Sequence, residues 1–197
     1  ADPHRPGHEV TYYPGETNVR AADVIVLNKM DTADYASVRQ IYQHVAEVNP
    51  RAIVVEAASP LFVDHPERIR GKRVLVVEDG PTLTHGEMAY GAGYVAAQRF
   101  GAAEIMDPRP YAVASISATY ARYPRTGQIL PAMGYGHEQV RDLEVTINNT
   151  PCDLVVIGTP IDLTRVLSIN HPMERVRYEL QVIGKPTLED ILAERFA

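Results

Sequence analysis

The sequence lacks several patterns that mark common functional classes. Cys152 is the only cysteine among 197 residues, which excludes an intramolecular disulfide and argues against a cysteine-based metal cluster. We interpret its thiol as a small core group ahead of a buried strand. No apolar run approaches the roughly 18 residues that a membrane span needs, and the opening ADPHRPGHE shows no secretory signal. We therefore expect a cytoplasmic location and no membrane partner.

An excess of basic residues is also missing. The formal net charge is -6, whereas nucleic-acid-binding domains usually carry a basic face, so we expect no nucleic-acid partner. The net charge does not argue against binding of small anionic ligands, because a local group of arginines can lie on an acidic protein. The chain also lacks an initiator methionine and opens in polar, proline-rich sequence. We expect it to be an interior portion of a longer protein.

Apolar runs alternate with helical patterns at short intervals, which is typical of an α/β fold with a parallel sheet. The patterns predict strands at 24–27, 52–56, 73–77, 104–106, 154–157 and 175–183, and helices at 16–22, 34–49, 93–100, 137–148 and 186–196, with another helix beginning in IDLTRVLSI. EAASP is predicted as a loop, and charged DHPERIRGK as a boundary. We predict a P-loop NTPase-like doubly wound sheet over 1–68, truncated and lacking its phosphate loop, then a Rossmann-like α/β domain over 69–197.

The first candidate site follows the predicted strand 24–27. Asn28, Lys29 and Asp31 form NKMD, the spacing with which P-loop NTPases hold a purine base, at the strand end where α/β sheets bind ligands. Ala57 and Ala58 of EAASP could bring a backbone N–H to the base. The alternative is a solvated turn. The chain contains no glycine-rich loop ending in Gly-Lys-Ser/Thr, so any phosphate loop must come from elsewhere.

The second candidate site is VEDGPTLTHGEMAYGAG, which follows the predicted strand 73–77. Glu78 and Asp79 could act as bases, and oxygen ligands of this type hold Mg²⁺, for which Asp79 is the candidate. His85 is a candidate acid, base or ligand. Thr84 and Gly86 are candidate phosphate contacts, because glycines let backbone N–H groups approach an anion. The alternative is a tight turn from strand to helix.

A third set consists of cationic side chains in loops at predicted strand or helix ends. Arginine pairs bidentately with phosphate or carboxylate, so several such loops could line a site for a polyanion. Taken singly, each arginine could equally be a surface or ion-pair residue. For the opening segment we favour anion contact over a metal site, since no ligand spacing is diagnostic. The candidate phosphate-binding residues are Arg5, His8, Arg109, Arg125 and Arg165.

Several of these motifs together resemble the cyclic 2,3-diphosphoglycerate synthetase family and its predicted GTPase relatives. The resemblance extends over nearly the whole chain, and the VEDGPTLTHG block is its most specific part. It is carried by ADPHRPGHE, YPGETN, VLNKMDTAD, EAASP, GKRVLVVEDGPTLTHGEMAYGAG, DPRPYAVASI, LPAMGYG and VVIGTPIDL.

The resemblance implies an enzyme with a P-loop region upstream of this segment in the same protein. It implies ATP-dependent formation of an intramolecular phosphoanhydride, with Mg²⁺, on a small polyanionic phosphorylated substrate. ATP or GTP stays open, because NKxD usually binds guanine. The alternative is a GTPase-type switch or metallochaperone in which this chain is noncatalytic. Among possible assemblies of this protein, the candidate that we name is a homodimer.

Overall fold

The structure is a computed structural model that describes residues 1–80, 90–133 and 136–197. Strands and helices alternate along these residues, which confirms the predicted α/β class. The chain divides into two compact units. Unit 1 comprises Ala1–Pro60 and Tyr178–Ala197, and unit 2 comprises Leu61–Arg177. No helix in the described ranges is both long and apolar enough to cross a membrane.

Unit 1 contains a three-stranded sheet in the order β1-β2-β9. β1 and β2 are parallel, whereas β2 and β9 are antiparallel. The elements of unit 1 are α1 (His8–Thr11), α2 (Gly15–Ala21), β1 (Val24–Leu27), α3 (Tyr35–Val48), β2 (Ile53–Ala58), β9 (Gln181–Ile183) and α7 (Leu188–Phe196).

The sequence explains where α3 begins, where it ends and which side it buries. Asp34 is its N-cap, and its side chain accepts a hydrogen bond from the backbone N–H of Ser37 at 2.9 Å, which satisfies one of the free amides of the first turn. Ile41 and Val45, four residues apart, face the sheet and pack in one core cluster with Ile25 and Leu27 of β1. The helix ends before Asn49 and Pro50.

Unit 2 is built on a six-stranded sheet in the order β3-β8-β7-β4-β5, with β6 also paired to β4. The ladders of β4 with β5, β6 and β7, and of β7 with β8, are all parallel. The elements of unit 2 are β3 (Leu61–Val63), β4 (Arg73–Asp79), α4 (Ala92–Arg99), β5 (Glu104–Ile105), α5 (Ala114–Arg122), β6 (Leu130–Ala132), α6 (His137–Asn149), β7 (Leu154–Ile157) and β8 (Met173–Tyr178), the last of which extends one residue into unit 1.

Both faces of this sheet are covered. Val74, Val76 and Val156 pack with Ala96 and Ala97 of α4 in one core cluster. The alternate residues of the same strands pack with α5 and α6 in a second cluster, which contains Leu75, Val77, Ile116, Leu143, Ile147, Val155 and Ile157. Because side chains alternate along a strand, Glu78 at the end of β4 lies on the α4 side and Asp79 on the α5–α6 side.

Several predictions about elements are wrong. EAASP is not wholly a loop, because β2 continues to Ala58. The predicted strand 175–183 is two strands that pair in different sheets. IDLTRVLSI holds only a 3-10 turn, Leu163–Arg165, and not a longer helix. Helices α1 and α5 were not predicted.

The compact units also divide the chain differently from the predicted domains. The first unit ends at Pro60, before the charged stretch 64–72 that was taken as the boundary. Residues Tyr178–Ala197 group with the first unit, whereas the sequence assigns them to the second domain. The domains of the whole protein, 1–68 and 69–197, stay a prediction.

Candidate functional site

The loops after β1 and β2 lie side by side in unit 1. The backbone N–H of Ser59 donates to Oδ1 of Asp31 at 3.1 Å. The backbone N–H of Met30 donates to the carbonyl oxygen of Ala57 at 3.0 Å. The structure therefore brings the predicted Asn28, Lys29 and Asp31 next to the predicted Ala57 and Ala58.

The conformation of this turn depends on Asn28 and Lys29. Lys29 has a positive φ of 61°, which is uncommon for a residue with a side chain. The Oδ1 atom of Asn28 accepts the Lys29 backbone N–H at 2.8 Å, and this bond supports the turn. Asn28 thus stabilises the turn, and the side chain of Asp31 is exposed.

The N-terminal segment packs against the same turn. The Lys29 ammonium contacts the Asp2 carboxylate at 2.7 Å, and Nε2 of His4 lies 2.9 Å from Oγ1 of Thr32. Burial works to raise the pKa of Asp2, but the hydrogen bonds from Lys29 and His4 outweigh it and hold that pKa below its ordinary value. Arg5 is half-buried, in the same segment. The ring of His8 stacks on Tyr12, with centroids 5.6 Å apart.

The end of β4 in unit 2 forms a small cradle around the Glu78 carboxyl group. Glu78 is only 2% exposed. Its Oε1 accepts the backbone N–H of Tyr94 at 2.8 Å, at the start of α4. A Cβ at Gly91 would lie 2.5 Å from Oε2 of Glu78, and a Cβ at Gly93 would lie 3.2 Å from Oε1. Gly158, which follows β7, closes the third side. Only residues without side chains leave room for this carboxyl group.

The protonation of Glu78 reflects this burial. Burial in the cradle raises the pKa of Glu78 to about 7, against the opposing hydrogen bonds from the amides of Tyr94, Gly93 and Gly91. The charge of Asp79 adds to the rise. Glu78 can therefore gain or lose a proton near neutral pH, the range in which a general acid or base works best.

Asp79 points to the other side of the sheet and is half-buried. It pairs with Ala132 of β6 in the parallel ladder. In the described part of the chain, no group of three or more His, Cys, Asp or Glu residues is placed to hold a metal ion. A Mg²⁺ contact at Asp79 stays a prediction. Thr84, His85 and Gly86 lie outside the described residues.

The predicted arginines of unit 2 lie in three separate 3-10 turns. The Arg109 side chain forms three hydrogen bonds to Asp107, from Nε to Oδ1 at 2.8 Å and to Oδ2 at 3.0 Å and from a terminal nitrogen to Oδ2 at 2.5 Å. The Arg109 backbone N–H also donates to Oδ1, at 3.0 Å. Arg125 lies in the 3-10 turn Pro124–Thr126, and Arg165 ends the turn after β7.

Sequence reasoning did not assign a site role to Arg175. This residue lies in β8 opposite Ile157, the last residue of β7. One terminal nitrogen of its guanidinium donates to the carbonyl oxygen of Pro160 at 2.7 Å, and the other lies 3.9 Å from Oδ2 of Asp162. The alternation of Arg175 and Arg177 in RVRYELQVI placed a basic side chain on one strand face. It could not show that Asp162, in the loop after the neighbouring strand, lies beside Arg175.

No protein-family model matches the chain. It is 62% identical over 193 residues to a protein of Thermococcus kodakarensis (strain ATCC BAA-918 / JCM 12380 / KOD1) named arginine synthetase ArcE. The chain is similar to an arginine synthetase. The matched region covers 98% of this chain but 43% of that relative, so the chain spans less than half of the relative's length.

This comparison corrects the functional prediction. The resemblance to the cyclic 2,3-diphosphoglycerate synthetase family, and the phosphoanhydride-forming activity that it implied, are wrong, because the relative at 62% identity is named for arginine synthesis. The motifs that carried the resemblance are therefore not specific to that activity. The comparison does not favour the alternative of a GTPase-type switch or metallochaperone either.

Proposed function

We propose that this chain is part of an enzyme, a nucleotide-dependent synthetase that forms arginine. The observation that carries the proposal is 62% identity over 98% of the chain to the arginine synthetase of T. kodakarensis. The structure supplies two sets of residues at strand ends, the position where open α/β sheets bind ligands. One set lies in each compact unit.

In this proposal the loops after β1 and β2 hold the purine base of ATP or GTP. The Asp31 carboxylate accepts N–H groups of the base, and the Lys29 stem packs over the ring. Support comes from the contact between Asp31 and Ser59, which sets the two loops side by side as a base pocket requires. Unit 1 is then P-loop NTPase-like, and a phosphate loop elsewhere in the same protein completes the site.

The reaction follows from the product. A guanidinium carbon bears three nitrogens, so arginine can form when nitrogen replaces an oxygen on the corresponding carbon of a precursor. That oxygen first attacks the terminal phosphorus of the nucleotide, a new P–O bond forms, and the nucleoside diphosphate leaves. The nitrogen then attacks the carbon, the C–O bond breaks, and phosphate leaves with the oxygen. Mg²⁺ neutralises the phosphate charge during such transfers.

Unit 2 provides groups for the second half of this sequence. Asp79 is half-buried at the carboxyl end of β4 and is our candidate Mg²⁺ ligand. Glu78 is a positioning residue in this proposal, because its carboxyl group ties the start of α4 to the end of β4 through the amide of Tyr94.

Isotope exchange tests the proposal without knowledge of the precursor. The full-length protein is incubated with arginine, Mg²⁺, radiolabelled phosphate and ADP or GDP. Because every enzyme catalyses both directions, we expect label in the nucleoside triphosphate when arginine is present. Lysine is the control, since it has the same charge and no guanidinium. Absence of arginine-dependent labelling with both nucleotides would contradict the proposal.

A further inference from the structure

Arg175 and Asp162 form a loose, accessible pair at the carboxyl ends of β8 and β7. Their nearest charged atoms are 3.9 Å apart, and 38% of each side chain is exposed. An ion pair held at this distance is longer than a direct hydrogen bond. The two charged groups therefore lie close together, but they do not form a direct hydrogen bond with each other.

The guanidinium of Arg175 has donors left over. Its only hydrogen bond within the described ranges goes from a terminal nitrogen to the Pro160 carbonyl oxygen at 2.7 Å. Its Nε is buried and has no partner among the described residues. A guanidinium carries five N–H donors, and a buried donor without an acceptor costs free energy. Arg175 is thus held in place by one contact while most of its donors remain available to an anion.

The Asp162 carboxylate has one oxygen engaged and one oxygen directed to Arg175. Its Oδ1 accepts the hydroxyl and the backbone N–H of Thr164 at 2.7 and 3.2 Å. The hydrogen bond from the Thr164 hydroxyl holds the pKa of Asp162 below its ordinary value against the opposing desolvation, helped by the Thr164 backbone N–H and then by the charges of Arg175 and Arg165. Asp162 therefore stays ionised at neutral pH, and Oδ2 can accept from a cation.

A guanidinium and a carboxylate side by side match the head group of an α-amino acid, which carries a carboxylate and an ammonium on one carbon. A phosphate group matches less well, because its two negative charges would meet the Asp162 carboxylate beside Arg175. The arrangement selects a ligand with both signs of charge at one end.

We propose that Arg175 and Asp162 bind the amino-acid head group of arginine and of its precursor. The guanidinium of Arg175 donates to the α-carboxylate, and Oδ2 of Asp162 accepts from the α-ammonium. The inference rests on the proposed function, because it takes arginine as the ligand. Beyond the proposed function, the inference assigns the place where arginine binds and the two residues that determine specificity for its head group.

Ligands that each lack one half of the head group provide the test. Agmatine is arginine without the carboxylate, and 5-guanidinopentanoate is arginine without the amine. Dissociation constants for all three are measured by titration calorimetry on the full-length protein. For Arg175→Gln we expect arginine to bind about 10- to 100-fold more weakly, as for the loss of charge-assisted hydrogen bonds, while agmatine binding is unchanged.

The matched variants separate the two contacts from a structural role. For Asp162→Asn we expect weaker binding of arginine and agmatine but unchanged binding of 5-guanidinopentanoate. Arg177→Gln is the control on the same strand, because Arg177 pairs with Asp64 on the surface, and all three affinities should match the wild type. If Arg175→Gln does not fold, Arg175→Lys keeps a cation but loses the planar fork, so it should still reduce the preference for arginine over agmatine.

The outcomes also distinguish this inference from the proposed function. If the wild type prefers arginine and Arg175→Gln retains the same preference over agmatine, the head-group site is wrong while arginine synthesis stands. Equal losses for all three ligands in Arg175→Gln would mean a structural role and would also overturn the inference. If the wild type binds none of the three, both proposals fail.

Discussion

The backbone N–H of Ser59 donates a hydrogen bond to Oδ1 of Asp31 at 3.1 Å, which joins the turn after β1 to the end of β2. An asparagine at this position keeps an oxygen for Ser59 but replaces the second carboxylate oxygen with an N–H donor. It therefore preserves the loop contact and removes an acceptor that a purine base would use.

We expect Asp31→Asn to change the preference between GTP and ATP by about 10- to 100-fold, the size of a lost charge-assisted hydrogen bond. Competition binding on the full-length protein measures this ratio. Asp34→Asn is the control, because Asp34 caps α3 and asparagine caps a helix about as well as aspartate. An unchanged ratio in Asp31→Asn would show that NKMD does not contact the base.

The cradle around Glu78 predicts that Gly158 does not tolerate a side chain. A Cβ there would lie 2.6 Å from the backbone nitrogen of Gly93 and would also meet Oε2 of Glu78. Since a backbone atom cannot easily move away, we expect Gly158→Ala to lower the free energy of unfolding by about 1–3 kcal/mol. Chemical denaturation measures the change. Gly136→Ala is the comparison, since no described atom lies within 4 Å of its added Cβ. Because Gly136 is the N-cap of α6 and alanine caps a helix less well, we expect a loss below about 1 kcal/mol there. Equal losses in the two variants would contradict the cradle.

The raised pKa of Glu78 predicts a pH-dependent stability. Below the unfolded pKa of about 4.5 both states hold the proton, and above about 7 neither does. Between these values only the folded state keeps it, so the free energy of unfolding should fall as pH rises, by about 3 kcal/mol in total.

Glu78→Gln cannot titrate and should lack this contribution. Denaturation of both proteins at pH 5, 6, 7 and 8 isolates it as a difference, because all other titrating groups are shared. A difference between wild type and variant that does not change with pH would show that Glu78 is ionised throughout this range.

The buried Glu9 predicts a stabilising role for His44. Glu9 is 6% exposed, accepts the backbone N–H of Gly7 at 2.9 Å, and lies 2.5 Å from Nδ1 of His44. His44→Ala leaves the carboxylate without its side-chain partner, which should lower the free energy of unfolding by about 1–3 kcal/mol.

The control for this prediction is His65→Ala. His65 contacts Glu67 at 3.3 Å, but both side chains are largely exposed. Exposed pairs of this kind contribute at most about 1 kcal/mol. Thermal or chemical unfolding of both variants measures the two changes in stability. A His44→Ala protein as stable as the wild type would mean that Glu9 needs no imidazole partner.

Local sequence predicted the elements whose burial pattern is unambiguous. Val24–Leu27 and Leu154–Ile157 were predicted with the observed bounds, because continuous runs of aliphatic residues indicate buried strands. Burial on both faces is complete only in Leu154–Ile157, since Val24 and Val26 stay partly exposed. Thr187 was predicted as the N-cap of the last helix, and its side chain accepts the backbone N–H of Asp190.

What the sequence could not supply is the identity of strand neighbours. RVRYELQVI alternates in the same way whether it forms one strand or two strands in different sheets, because periodicity reports which face is buried and not which strand is adjacent. For the same reason, the sequence alone does not reveal the cradle around Glu78. Gly91 and Gly158 are distant in sequence, and they meet only because β7 pairs with β4.

The division of the chain has a practical consequence for protein production and for evolution. Unit 2 is one uninterrupted stretch, Leu61–Arg177, whereas unit 1 is assembled from both ends of the chain. Expression of residues 61–177 therefore retains every strand of the larger sheet except the last residue of β8, while residues 1–60 alone lose β9, the partner of β2. This connectivity is that of a guest segment inserted into a host, so recombination at the two ends of the segment would move the larger sheet between proteins with the loss of only one strand residue.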